Sequence, residues 1–160
     1  KTLILLRHGK AHHSAIHDMD RALSDRGKSD LAMAGERLRQ LLPPDAAGAV
    51  SAARRTMETS SAISNLTGWT PPAGSAGGYL APALFWIKEI TSWADTQHVG
   101  IAIGHNPGLS DLASELTSED IWLPTSGFAR IQFDVEHWME LSRGTGELME
   151  IWTPNATFGA

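Results

Sequence analysis

An apolar run that empties directly into Arg-His-Gly constrains this chain more than any other stretch: Leu3-Ile4-Leu5-Leu6 is followed at once by Arg7-His8-Gly9. Four consecutive apolar residues suit a strand buried on both faces, the usual condition of strands in parallel sheets. Gly9 supplies a turn and leaves room for a ligand to approach the backbone. The strand thus delivers a guanidinium and an imidazole to its own C-terminal end, the edge of an open α/β sheet where ligands bind. Taken alone, such a pair fits a structural role at a strand end as well as an anion site.

Two further segments repeat the arrangement. Val99-Gly100-Ile101-Ala102-Ile103-Gly104 leads into His105, after which Pro107 opens a helix with Leu109, Leu112, Ala113 and Leu116 at helical spacing. Between them, Val50-Ser51 turns into a helix whose first turn carries Arg55. Unpaired N–H groups at that helix start add partial positive charge to the guanidinium. Three strand ends therefore offer two imidazoles and two arginines, Arg7 and Arg55.

The remaining pattern predicts a helix near 25 to 42, capped by Ser24 and ended by Pro43-Pro44, with Leu31, Ala34, Leu38 and Leu41 on one face. A short strand is expected near 48 to 51, a helix near 53 to 66, a loop from Gly68 to Gly78 and a helix near 83 to 95 with core tryptophans at Trp86 and Trp93. Ala129 to Asp134 alternates like a half-buried strand, and Leu148 to Trp152 can pair with it across the turn-rich Ser142 to Gly146. Strands alternating with helices predict one layered α/β domain over residues 1–160, its mixed sheet carrying an antiparallel edge.

A chain of 160 residues with 42% hydrophobic and 19% charged residues has the composition of an ordinary globular protein. It has no cysteine, so disulfides and thiolate metal sites are excluded. The net charge of −5 argues against nucleic acid, whose phosphate backbone demands a basic face. No apolar stretch approaches a membrane span, and the opening residues do not read as a signal peptide, so a cytoplasmic protein with no membrane partner is expected. The sequon Asn155-Ala156-Thr157 would then carry no sugar.

Arg7-His8-Gly9, Ser51-x-x-x-Arg55-x-x-x-Thr59 and Gly104-His105, in that order, resemble the motifs of the histidine phosphatase superfamily, the phosphoglycerate mutase-like fold. The short length and the run Asp18-Met19-Asp20-Arg21-Ala22-Leu23-Ser24-Asp25-Arg26-Gly27 look most like its SixA-type phosphohistidine phosphatases. The likeness extends from residue 2 to about residue 134. It implies a three-layer fold, a mostly parallel sheet flanked by helices. Ala52 and Ala22 stand where the family usually has proline, which loosens two turns.

A phosphoryl group in transit spreads negative charge over its equatorial oxygens. Arg7 and Arg55 can each fork onto those oxygens, and His105, if protonated, adds a third donor. Spacing alone permits His8 to act as nucleophile or general base; the resemblance implies the nucleophile, with a phosphohistidine intermediate. Arg55 is preferred to its neighbour Arg54 because it shares a helix face with Thr59. Between Arg55 and His105 only Glu58 and Glu89 are available as a family-type acid, and neither sits in a matching motif. Asp18 or Asp20 could donate the proton; Asp18 is preferred, because Asp20 would serve equally as a loop staple to Arg21. The resemblance also suggests that Ser126, in Thr125-Ser126-Gly127, lines the phosphate pocket, although the tripeptide would serve equally as a turn. His13 and His17, four apart, lack a third ligand, so neither metal nor cofactor is expected. With His12 they read as solvated loop histidines that can brush a substrate protein. The leading expectation is removal of phosphate from phosphohistidine in a signalling phosphotransfer protein. A phosphatase for a small phosphoester, or a phosphate-recognition module without turnover, stands as the alternative.

Overall fold

The apolar run near the N-terminus forms β1 (Thr2–Arg7), the middle strand of a five-stranded sheet. Leu3, Ile4, Leu5 and Leu6 are all completely buried, as a strand covered on both faces requires. The computed structural model describes residues 1–154, so the sequon at Asn155 lies outside the described residues.

On one side of β1 runs the parallel strand β3 (Val99–Gly104), and beyond it β2 (Ala47–Val50), also parallel. On the other side β4 (Phe128–Phe133) and β5 (Gly146–Trp152) form an antiparallel pair, giving the order β2-β3-β1-β4-β5. Because β5 reverses β4, four of the five strands point the same way, and the sheet is mostly parallel.

The two-residue period of β1 divides the core. Leu3 and Leu5 enter a cluster with Trp86, Ile90, Leu109 and Leu112, from α3 (Ala83–Thr91) and α4 (Gly108–Thr117). Ile4 and Leu6 enter the other, with Leu31, Leu38 and Ile63 from α1 (Asp25–Leu38) and α2 (Arg54–Thr67). Helices on both faces of the sheet make the three-layer α/β fold expected from the sequence. The Ser24 hydroxyl caps α1 by accepting from the Gly27 amide at 3.1 Å.

Two helices are shorter than their periodicity predicts. α1 stops at Leu38 rather than 42, and the amides of Leu41 and Leu42 both turn back onto the Leu38 carbonyl, since Leu42 precedes Pro43 and cannot remain helical without a clash. α3 stops at Thr91 rather than 95, and its chain tightens through the bond from the Trp93 amide to the Ile90 carbonyl. That turn slides Trp93 over β3, where a Cβ on Gly100 would lie 2.2 Å from the indole. Trp86 covers Gly104 equally closely, at 2.5 Å, so these two glycines let tryptophans lie against the strand that carries His105. At the turn after β2, the Ala52 amide donates to the Ser75 carbonyl at 2.9 Å, a bond proline could not make.

Candidate active site

Strand register brings the motifs together. Arg7 pairs with Gly104, so the residues that follow each strand emerge side by side, and the His8 and His105 rings lie 5.2 Å apart between centroids. Ser51 leaves β2 at the same edge, its amide bonded to the Ile103 carbonyl. α2 begins three residues later, which places Arg55, 3% exposed, in its first turn against His105. Arg7, His8, Arg55 and His105 together line a cavity of about 620 Å³ at the C-terminal edge of the parallel strands. Arg54 instead pairs with Glu58 on the surface, 3.3 Å away.

The tautomer of His8 follows from its partner. Nδ1 lies 2.8 Å from the Gly9 carbonyl, which can only accept, so Nδ1 carries the hydrogen and Nε2 keeps its lone pair. Burial above all, with the Arg55 and Arg7 charges adding to it, lowers the His8 pKa to about 4 despite the opposing Gly9 bond. The ring is therefore neutral at pH 7. Thr59 secures this turn: its hydroxyl accepts from the Gly9 amide at 3.0 Å and donates to the Arg55 carbonyl at 2.7 Å.

His105 is expected from the sequence to add a third donor if protonated, and the surroundings of the ring oppose that proton. Desolvation first, then His8 and Arg55, lower its pKa to about 3, so the ring is neutral in this site. Arg55 Nη2, which can only donate, approaches Nδ1 at 3.4 Å, and Nε2 bonds with the Ser51 hydroxyl at 2.7 Å. An arriving phosphoryl dianion acts in the opposite direction and favours the imidazolium. Burial and the neighbouring Arg55 also lower the Arg7 pKa. The Nε–H groups of both arginines are buried and have no acceptor among the described residues. Two guanidiniums lining one cavity suit an anion.

Asp18, the proton donor preferred from the sequence, accepts hydrogen bonds in this structure. Its carboxylate receives Arg55 Nη2 and Arg21 Nη1, each at 3.0 Å, together with the Tyr79 hydroxyl. The Tyr79 bond most of all, then Arg21 and Arg55, holds the carboxyl well below the usual range, so it stays ionised. Arg21 accordingly pairs with Asp18, not with Asp20. Arg55 Nη1 also donates to the Asp18 carbonyl at 2.9 Å, so the far end of the guanidinium is anchored while Nε is left free.

Ser126 also departs from expectation. It is fully buried with a left-handed backbone (φ 64°), its amide donates to the His8 carbonyl, and its hydroxyl has no partner among the described residues. Thr125, one residue earlier, lines the cavity in its place. Glu58 accepts from the Leu23 amide at 2.8 Å, and neither it nor Glu89 lines the cavity. Tyr79, which no sequence motif marks, sits edge-on to His105 with the rings 5.6 Å apart and under the Arg55 guanidinium. A lone tyrosine in a Gly-rich loop carries no local signal. Lys10, Arg21 and His13 also line the cavity. Among the described residues no group of three or more side chains is placed to hold a metal ion, and no helix is long and apolar enough to cross a membrane.

Comparison with known proteins points the same way. The family model described as histidine phosphatase superfamily (branch 1) matches residues 3–74. An uncharacterized protein of Mycobacterium tuberculosis is 33% identical over 162 residues, covering 93% of this chain and 99% of the relative. A candidate phosphohistidine phosphatase SixA of Nakamurella multipartitia superposes with a TM-score of 0.85 at 25% identity, over 98% of this chain and 97% of the other. The protein histidine phosphatase SixA in complex with tungstate shares the fold, with a TM-score of 0.82 at 18% identity over 96% and 97% of the two chains.

Proposed function

The chain belongs to the histidine phosphatase superfamily, and on that footing we propose that it is a phosphatase working through a phosphohistidine on His8, with phosphohistidine in a phosphotransfer protein as its substrate. One observation carries the catalytic part: a neutral His8 whose Nε2 lone pair is uncommitted shares its cavity with the buried Arg55 and the half-buried Arg7. Nε2 attacks phosphorus while Arg7 and Arg55 take up the charge that develops on the equatorial oxygens. His105, once the dianion favours its protonated form, adds a donor held in place by Ser51. Thr59 and Asp18 act one step back, fixing the Gly9 turn and the Arg55 fork.

The likeness to SixA-type structures supports the substrate class. So does the ionised state of Asp18, which leaves its carboxyl unable to protonate an alkoxide. An imidazole leaving group demands less of a donor. The reading treats residues 1–160 as one catalytic domain in the cytoplasm, acting without a metal or cofactor. The test is a comparison of turnover on a phosphohistidine protein, p-nitrophenyl phosphate and a sugar phosphate, with acid-labile trapping of the phosphoenzyme. Fast cleavage of the sugar ester with little on phosphohistidine would move the reading to a small-phosphoester phosphatase. Absence of a trapped phosphoenzyme with binding intact would make it a recognition module.

A further inference from the structure

The proton that a leaving group needs has no carboxylic acid to come from, and the composition of the cavity wall narrows the alternatives. Arg7, Arg21 and Arg55 keep their protons at any working pH. Asp18 is held as an anion, and the contact that holds it raises the Tyr79 phenol above its ordinary value. His8 commits its lone pair to phosphorus, and His105, held on Ser51, is already assigned to the charge on the phosphoryl oxygens. Asn106 and Thr125 exchange no proton near neutrality. Two lining groups remain, Lys10 and His13. A lysine ammonium is by type a weak acid at that pH, whereas an imidazole can both give and take a proton. His13 lies on the loop between β1 and α1, exposed to solvent while lining the same cavity as His8. His12 and His17 on the same loop are exposed as well but do not line it.

We infer that His13 is the acid–base residue of this cavity, protonating the departing atom and then activating the water that frees His8. The inference rests on the phosphatase reading above. In the first step the His8 Nε2 lone pair forms the new P–N bond as the bond from phosphorus to the leaving atom breaks. The bonding pair departs with that atom, which takes a proton from the His13 imidazolium. In the second step water attacks the phosphohistidine phosphorus and gives a proton to the now neutral His13. The P–N pair returns to Nε2, orthophosphate departs, and both histidines regain their starting states. When the leaving group is itself an imidazole, the first transfer runs between groups of similar basicity, a condition that favours acid–base catalysis.

The experiment resolves the two steps by rapid quench, using phosphoimidazole and p-nitrophenyl phosphate with the full chain. Nitrophenolate departs without needing a proton, so His13→Gln is expected to slow phosphoenzyme formation from phosphoimidazole on the order of 100-fold and from p-nitrophenyl phosphate less than about 10-fold. Hydrolysis of the phosphoenzyme slows to the same extent whichever substrate formed it. Free imidazole restores both steps to His13→Ala, a rescue that a merely structural role would not show. His12→Gln and His17→Gln retain the parent rates. A His13→Gln protein that matches the parent in both steps, or loses both substrates equally without imidazole rescue, overturns the assignment. A parent that forms no phosphoenzyme from either substrate overturns the phosphatase reading itself, a distinct result because parent and variants are then alike inert.

Discussion

Replacing Thr59 with valine removes one oxygen and keeps the shape of the side chain, so its consequence can be worked from two distances. The hydroxyl accepts from the Gly9 amide at 3.0 Å and donates to the Arg55 carbonyl at 2.7 Å, in a residue with no exposure. Valine leaves the Gly9 N–H buried without that acceptor, a cost of about 1–3 kcal/mol for an orphaned donor. The Arg55 carbonyl loses only a second bond, because it remains within the helix. A cost of ~2 kcal/mol in a chain of this length lowers the melting temperature by about 4–8 °C. Activity should fall further than stability suggests. The Gly9 carbonyl orients the His8 ring, and misplacement of a reacting group by about 1 Å costs on the order of 100-fold, so a partial shift predicts roughly a 10- to 100-fold loss of kcat. Thermal unfolding by circular dichroism and the rate of phosphoenzyme formation measure the two effects, with Thr59→Ser, which keeps the oxygen, close to the parent in both. A Thr59→Val protein with parental melting and parental kcat would show that this bond does not hold the nucleophile.

Arg7→Ala and Arg55→Ala should each lower kcat/KM by about two to three decades, since each removes a donor from the transition-state oxygens, and steady-state kinetics should show Arg54→Ala little changed. Asp18→Asn should slow aryl and phosphoimidazole substrates by similar factors, because Asp18 orients Arg55 without giving up a proton; a loss confined to poor leaving groups would restore it as the acid. The folded-state values of about 4 for His8 and about 3 for His105 lie below the ordinary 6.5, so the unfolded chain binds more protons in that interval. Stability should accordingly decline as pH falls from 6.5 toward those values, and His105→Gln should flatten the pH dependence of the urea midpoint if its structure is retained. Turnover should survive exhaustive treatment with EDTA; a loss restored by zinc or magnesium would reveal a metal requirement.

What was legible in the sequence was what short-range pattern encodes. The unbroken run Leu3 to Leu6 specified a strand covered on both faces, and the helical spacing of Leu109, Leu112, Ala113 and Leu116 specified the buried face of α4. Arg7, His8, Arg55 and His105 were recognisable because Arg7 closes β1, His8 and His105 follow β1 and β3 directly, and Arg55 sits in the first turn of the helix after β2, which limits where each side chain can reach. Tertiary structure alone decided how those groups are charged and which loops close around them. A pKa depends on burial and on neighbours distant along the chain, so the neutrality of His105 appears only once His8 and Arg55 are packed against it. The carboxyl of Asp18 is held below its usual range because Tyr79, sixty-one positions away, meets it. Thr125 and Ser126 exchanged places because the left-handed turn at Ser126 accompanies a buried side chain, and no pattern of residue types foretells that choice. Periodicity along a chain reports which face is buried; contacts between loops depend on how whole elements register, and strand pairing sets that register.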